Sequence, residues 1–160
     1  VISPGETIAE NSTAVNSAPV PAGVKIPSKT IAAARLPFGG DSGYQEIKIN
    51  LTDDGFEPSV IAVQKNIPVN WIIDNDSLDE GNGLLIVPAY QALLELQDGE
   101  NGIQFMPYRS FDFSTGDNIY YGYVKVVDDI NNIDTARIKT EVENFETLIY
   151  PVSFFEDAAR

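Results

Sequence analysis

The side chains able to do chemistry in this chain are carboxylates. Asp74, Asp76, Asp79 and Glu80 fall within seven positions, in a polar run from Asp74 to Gly83 that also holds Asn75 and Asn82. Calcium takes six to eight oxygen ligands from loops of this kind, so Ca2+ is the cation these four residues would suit. The spacing is not that of an EF-hand, because Gly81 comes too late and no Glu stands at the twelfth position. A solvated acidic loop is the plainer reading of the same residues. Asp53-Asp54 reads first as a turn, and Asp128-Asp129 follows the last strand of the central region. Two carboxylates at a fixed separation also perform glycoside hydrolysis, but an acidic chain offers such pairs by chance. Ser114 lacks Gly-x-Ser-x-Gly surroundings and no phosphate-cradling glycine loop is present, so the chain reads as a non-enzyme.

The sequence has no cysteine and no histidine, which excludes thiolate and imidazole chemistry outright. Only hard, oxygen-liganded cations fit that composition. Ten Lys and Arg stand against twenty-four Asp and Glu, and the net charge of -14 repels nucleic acid and anionic lipid. The apolar run Gly83 to Tyr90 falls far short of the roughly 20 residues that span a bilayer, so direct membrane insertion of these residues is not expected. At 160 residues the chain suits one domain with extensions.

Positioning falls to a series of short strands between Tyr44 and Asp129. Ile47, Ile49 and Leu51 alternate with Glu46, Lys48 and Asn50, the pattern of a half-buried strand. Val60 and Ala62, then Ile67, Val69, Trp71 and Ile73, continue it, and Trp71 reads as a core residue. Leu84 to Val87 and Ala92 to Leu96 follow, and Asp98-Gly99-Glu100-Asn101-Gly102 reads as a turn before Ile103 and Phe105. Phe111 and Phe113 share a face, and Ile119 to Val127 closes the series. Tyr120, Tyr121 and Tyr123 alternate faces, so at least one is expected on the surface. Such strand spacing argues for an antiparallel sandwich. In residues 130–160 the helical spacing of Ile138, Val142, Phe145 and Ile149 competes with alternation over Arg137 to Val142, and β-branched content favours a strand there. Asn11, Asn50 and Asn75 each open an N-glycosylation pattern.

Four segments match a known pattern: Gly55-Phe56-Glu57-Pro58, Ile67-Pro68-Val69-Asn70-Trp71-Ile72-Ile73-Asp74, Phe111-Asp112-Phe113-Ser114 and Tyr121-Gly122-Tyr123-Val124-Lys125-Val126. On these the region 44–129, about half the chain, resembles a bacterial cupredoxin-like domain. The resemblance implies an all-β, cupredoxin-like (Greek-key) antiparallel β-sandwich, which leaves a long N-terminal arm (1–43) and a C-terminal extension (130–160) outside it. It also implies copper ligands, supplied by an Asn-Gly-Cys-Asn motif and a Ser-Cys-Trp-Met-Gly-Met motif. Here these read Asn82-Gly83-Leu84-Leu85 and Ser114-Thr115-Gly116-Asp117-Asn118-Ile119. Leu84 and Thr115 occupy the cysteine positions, and Asp117 and Ile119 the methionine positions. No copper is expected, since such a site needs sulfur or imidazole. Copper-binding electron transfer is therefore the weakest of the readings the resemblance suggests.

Residues 1–43 are rich in Ser, Thr, Pro and Ala and cannot build a core of their own. Val24-Lys25-Ile26 and Lys29-Thr30-Ile31 alternate like a strand that adds to an open sheet edge. Tyr150-Pro151-Val152-Ser153-Phe154-Phe155 carries an apolar load that must be buried in this domain or a neighbour. Val24, Ile26, Ile31, Val152, Phe154 and Phe155 are thus the expected assembly residues. The first residue is Val1, which reads as a processed, secreted or surface protein. The function expected is a self-associating surface or filament subunit that exchanges strands through its terminal arm. The alternative is an extracytoplasmic binding or sensor module holding Ca2+ or another ligand at the acidic loop.

Overall fold

A computed structural model describes residues 18–36 and 43–158. The arm residues 1–17 and 37–42, with the Asn11 pattern, lie outside the described residues. The first strands are β1 (Val20–Pro21), β2 (Ile31–Ala33), β3 (Gln45–Thr52), β4 (Gly55–Glu57), β5 (Val60–Gln64) and β6 (Val69–Asn75). Then come β7 (Leu84–Val87), β8 (Ala92–Glu95), β9 (Gly99–Phe105), β10 (Phe111–Thr115), β11 (Tyr121–Val127), helix α1 (Thr135–Glu143), β12 (Leu148–Ile149) and helix α2 (Val152–Ala158).

Period-two patterning sets the two main layers. β3 and β6 each bury every second residue, and they lie side by side with Ile47 opposite Trp71 and Ile49 opposite Ile73. One sheet runs β9-β6-β3-β4 and the other β2-β5-β11-β10-β7-β8. The sandwich is mixed rather than wholly antiparallel: β3 with β6, β5 with β11 and β2 with β5 are parallel pairs. Between the sheets Trp71 and Phe56 both meet Phe113 edge-on, with ring centroids 4.8 Å apart in each pair. Trp71 is fully buried, as its sequence position implied, although its indole N–H has no hydrogen-bond partner among the described residues. The Asp98 to Gly102 stretch is a correction. β9 already begins at Gly99 and pairs with β6 from Gly99 opposite Asn75 to Phe105 opposite Val69, so ladder pairing overrides local turn propensity.

A third layer covers the outer face of the six-stranded sheet. Ile26 and, less deeply, Val24 and Ile31 pack there with Val60, Tyr121, Tyr123, Ile138 and Val142. The strand addition expected of the arm occurs within its own subunit, since Ile31 to Ala33 pair with Val60 to Ala62 of β5. β1 pairs with β12, and the Thr147 hydroxyl donates to the Val24 carbonyl at 2.5 Å. Tyr121 and Tyr123 are buried and Tyr120 half-buried, so none of the three offers an exposed ring. The strand expected over Arg137 to Val142 is helix α1. Asp134 caps it by accepting from the Arg137 N–H at 3.1 Å, and Ile138 and Val142, four apart, face the sheet. Phe155 is buried, Phe154 half-buried and Val152 exposed.

Candidate functional site

The two altered motifs do meet in space. Gly116 N–H donates to the Leu84 carbonyl at 2.9 Å, and Asp117 N–H to the Gly81 carbonyl at 3.0 Å, at the end of the sandwich where β6 finishes and β7 begins. Thr115 is fully buried. Its hydroxyl donates to Asp117 Oδ1 at 2.6 Å and accepts from the Tyr120 N–H at 3.2 Å. Asp117 Oδ1 also accepts from the Ile119 N–H, and Asn118 turns the chain at φ 59°. A Cβ on Gly81 would lie 2.2 Å from the Asp117 carboxylate, so a larger residue there would displace that side chain from its turn. Leu84 and Ile119 stand outward, 40% and 56% exposed.

The acidic loop is tied by its own hydrogen bonds. Asp79 Oδ1 accepts from the Gly81 and Asn82 N–H groups, both at 2.8 Å, and Asn82 Oδ1 accepts from the Asp79 N–H. Asn82 Nδ2 donates to the Ser77 carbonyl, and the buried Asn75 donates to the Asn82 carbonyl. Asn75 is therefore no glycan acceptor in the folded chain. Asp74 lies 3.6 Å from Lys48, which is 2.9 Å from Glu100; Glu100 first, and Asp74 behind it, holds Lys48 above its usual pKa. Asp74 in turn pushes the neighbouring Asp76 carboxyl up. The structure thus brings Asp74 and Asp76 together, leaves Asp79 as a turn cap, and leaves Glu80 on the exposed rim. Among the described residues no group of three carboxylates is placed to hold a metal ion.

Copper does not fit the donors present. Leu84 and Ile119 have no ligating atom, the Thr115 hydroxyl and Asp117 carboxylate satisfy each other, and neither is a soft donor. The single methionine, Met106, follows β9 at the opposite end, where Phe105 pairs with Val69 at the start of β6. Sequence reasoning missed Asn75 and Asn82 as the residues that fix the loop. Their signal was present: an Asn in phase with the buried residues of β6 needs buried partners.

No protein-family model and no curated protein matches the chain. Solved structures do. The metal binding domain of the Streptococcus pneumoniae D39 Cu(I) exporting P-type ATPase CopA, with Cu(I), is similar at 26% identity and TM-score 0.55, over 61% of this chain and 96% of that one. A copper binding protein studied in its apo form by NMR is similar at 23% identity and TM-score 0.52, over 59% of this chain and 95% of that one. The sandwich is a cupredoxin-like fold, and the positions that resemblance assigns to sulfur ligands hold none here.

Proposed function

We propose that the chain is a non-enzymatic structural subunit, displayed outside the cytoplasm, that assembles end to end into a filament or surface layer without a copper site. The observation that carries this reading is the placement of exposed apolar side chains. Leu78, Leu84 and Ile119 stand out at the end where the two altered motifs meet, and Tyr44, Tyr90, Met106 and Tyr108 at the opposite end; Val20, Leu93 and Val152 are exposed as well. Different surfaces at opposite ends make a heterologous contact between copies, and repetition of such a contact extends into a fibre unless its rotation closes a ring. The two similar structures named above belong to copper-binding proteins; that property is not carried over, because the donors are replaced. Exchange of residues 20–34 between subunits is the swapped form of the edge pairing the arm makes in its own subunit, and it would strengthen the same fibre.

The charge of -14 opposes association, so assembly should rise steeply with ionic strength. Calcium and magnesium should then act alike at equal concentration, by screening. Sedimentation and negative-stain microscopy across a salt series test this. Two variants identify the contact: Leu84→Asp with Ile119→Asp, and Met106→Asp with Tyr108→Asp. Each alone should stay monomeric, while their mixture should form one-to-one dimers through the ends left intact. A strict monomer at all salt concentrations would sink the proposal.

A further inference from the structure

Asp112 sits in β10 between Phe111 and Phe113, which point into the sandwich, so its side chain faces the outer layer. Tyr123 of β11 lies opposite it in register. Asp112 is only 7% exposed, and among the described residues no hydrogen bond reaches its carboxylate from another residue; its own backbone N–H is the one donor. The phenols around it are Tyr121, Tyr123 and Tyr150. Two are engaged elsewhere, Tyr121 with Asn118 and the Leu148 carbonyl, Tyr123 with Glu141. Burial pushes the Asp112 carboxyl up to about 6, so at neutral pH the chain holds an unpaired charge under its third layer. Proteins pair or neutralise such a charge unless something else meets it.

The carboxylate lines a cleft of about 310 Å3 between β10 and the C-terminal segment, together with Phe145, Tyr150, Phe154 and Arg109. Tyr150 and Phe154 stack at a tilt with ring centroids 4.7 Å apart. Aromatic faces attract cations, and a carboxylate beside them adds the opposite full charge. The volume lies at the small end of ligand sites. One carboxylate among rings is the wrong donor set for Ca2+ or Mg2+, which require several oxygens. Arg109 forms no ion pair with Asp112 among the described residues. We propose that this cleft binds a small organic monocation, an alkylammonium, with its charge against Asp112 and its alkyl groups against Phe145, Tyr150 and Phe154. The cleft's Ala89 and Arg109 adjoin Tyr90 and Tyr108 of one proposed end contact, but cation binding there does not rest on the assembly reading.

The test titrates choline and its uncharged isostere 3,3-dimethyl-1-butanol into the full chain, followed by ring-proton shifts in NMR and by calorimetry. Choline should bind saturably, about tenfold or more tighter than the alcohol. Asp112→Asn, which removes a charge that burial already disfavours and so should fold, should abolish that preference. Phe154→Leu, on a different element, should weaken choline several-fold. Affinity should fall as the pH drops below about 6. Equal binding of the two probes, unchanged choline affinity in Asp112→Asn, or no saturable shift at millimolar choline would each overturn the proposal.

Discussion

Thr115 and Asp112 lie on the same five-residue strand and are buried to nearly the same depth, yet their surroundings differ in kind. At the Thr115 end every replaced ligand position is either satisfied or turned outward: the hydroxyl has a donor and an acceptor, Asp117 caps the turn, and two loops are bonded across it. At Asp112 the carboxylate lines a cleft and, among the described residues, accepts from no residue but its own N–H. A fully satisfied polar cluster is what packing alone selects, whereas an unsatisfied one lowers stability without structural return. A ligand is therefore to be sought beside Asp112, whereas the altered motif end holds no vacant donor and offers only its exposed apolar side chains.

Asp112→Asn breaks this comparison with the largest effect. A carboxyl raised from 3.8 to about 6 on folding stabilises fully below the lower value, and that contribution is lost as pH rises through the upper one. At about 1.4 kcal/mol per unit, the wild type should lose up to about 3 kcal/mol between pH 4 and pH 8 through this group. Urea unfolding at pH 4, 6 and 8 should show the Asn variant gaining on wild type with pH, by about 3 kcal/mol at pH 8. A constant gap would mean that the carboxylate has a partner in solution. Thr115→Val probes the other end. It leaves the Tyr120 N–H without its acceptor and should cost about 2 kcal/mol at any pH near neutral. If the valine variant unfolds at the same urea concentration as wild type, the closed end does not hold the loops and the contrast collapses.

The strands that carry this comparison were legible because alternation reports burial directly: Ile47, Ile49 and Leu51, then Val69, Trp71 and Ile73, then Phe111 and Phe113 all face inward as read. Which strands neighbour one another was not legible, since period two names a face and not a partner; the parallel pairing of β3 with β6 is the instance. Asp112 escaped notice because its strand reads as half-buried, and a polar residue at the other phase looks solvated. Only the covering layer makes that face interior, and over Asp112 this layer is the C-terminal segment carrying Phe145, Tyr150 and Phe154. Helix α1 was misjudged on β-branched content, although Asp134 before Ile138 and Val142 carried the cap and the period. The four acidic-loop residues were legible as a cluster, but their hydrogen bonds to backbone depend on turn geometry that no spacing rule contains.

A second carboxylate on the same covered face sharpens the comparison with the smallest effect. Burial pushes Glu141 up as it does Asp112, but hydrogen bonds from Lys125 and from Tyr123, the Lys125 one being 2.6 Å, outweigh it and hold Glu141 below its usual value. Its contribution has the opposite sign of pH dependence: present above the ordinary carboxylate value and lost as pH falls through the folded one. Because both partners of the pair are partly open to solvent, Lys125→Met should destabilise by only about 0.5 kcal/mol at low salt, and by less in high salt. The decisive reading is site-resolved. Carboxyl-carbon NMR titration of the variant should move Glu141 upward and leave Asp112 near 6, because the lysine neutralises one carboxylate and does not reach the other. If both titrations move together, Asp112 shares the Lys125 network, the charge is not unpaired, and the reason for placing a cation beside it disappears.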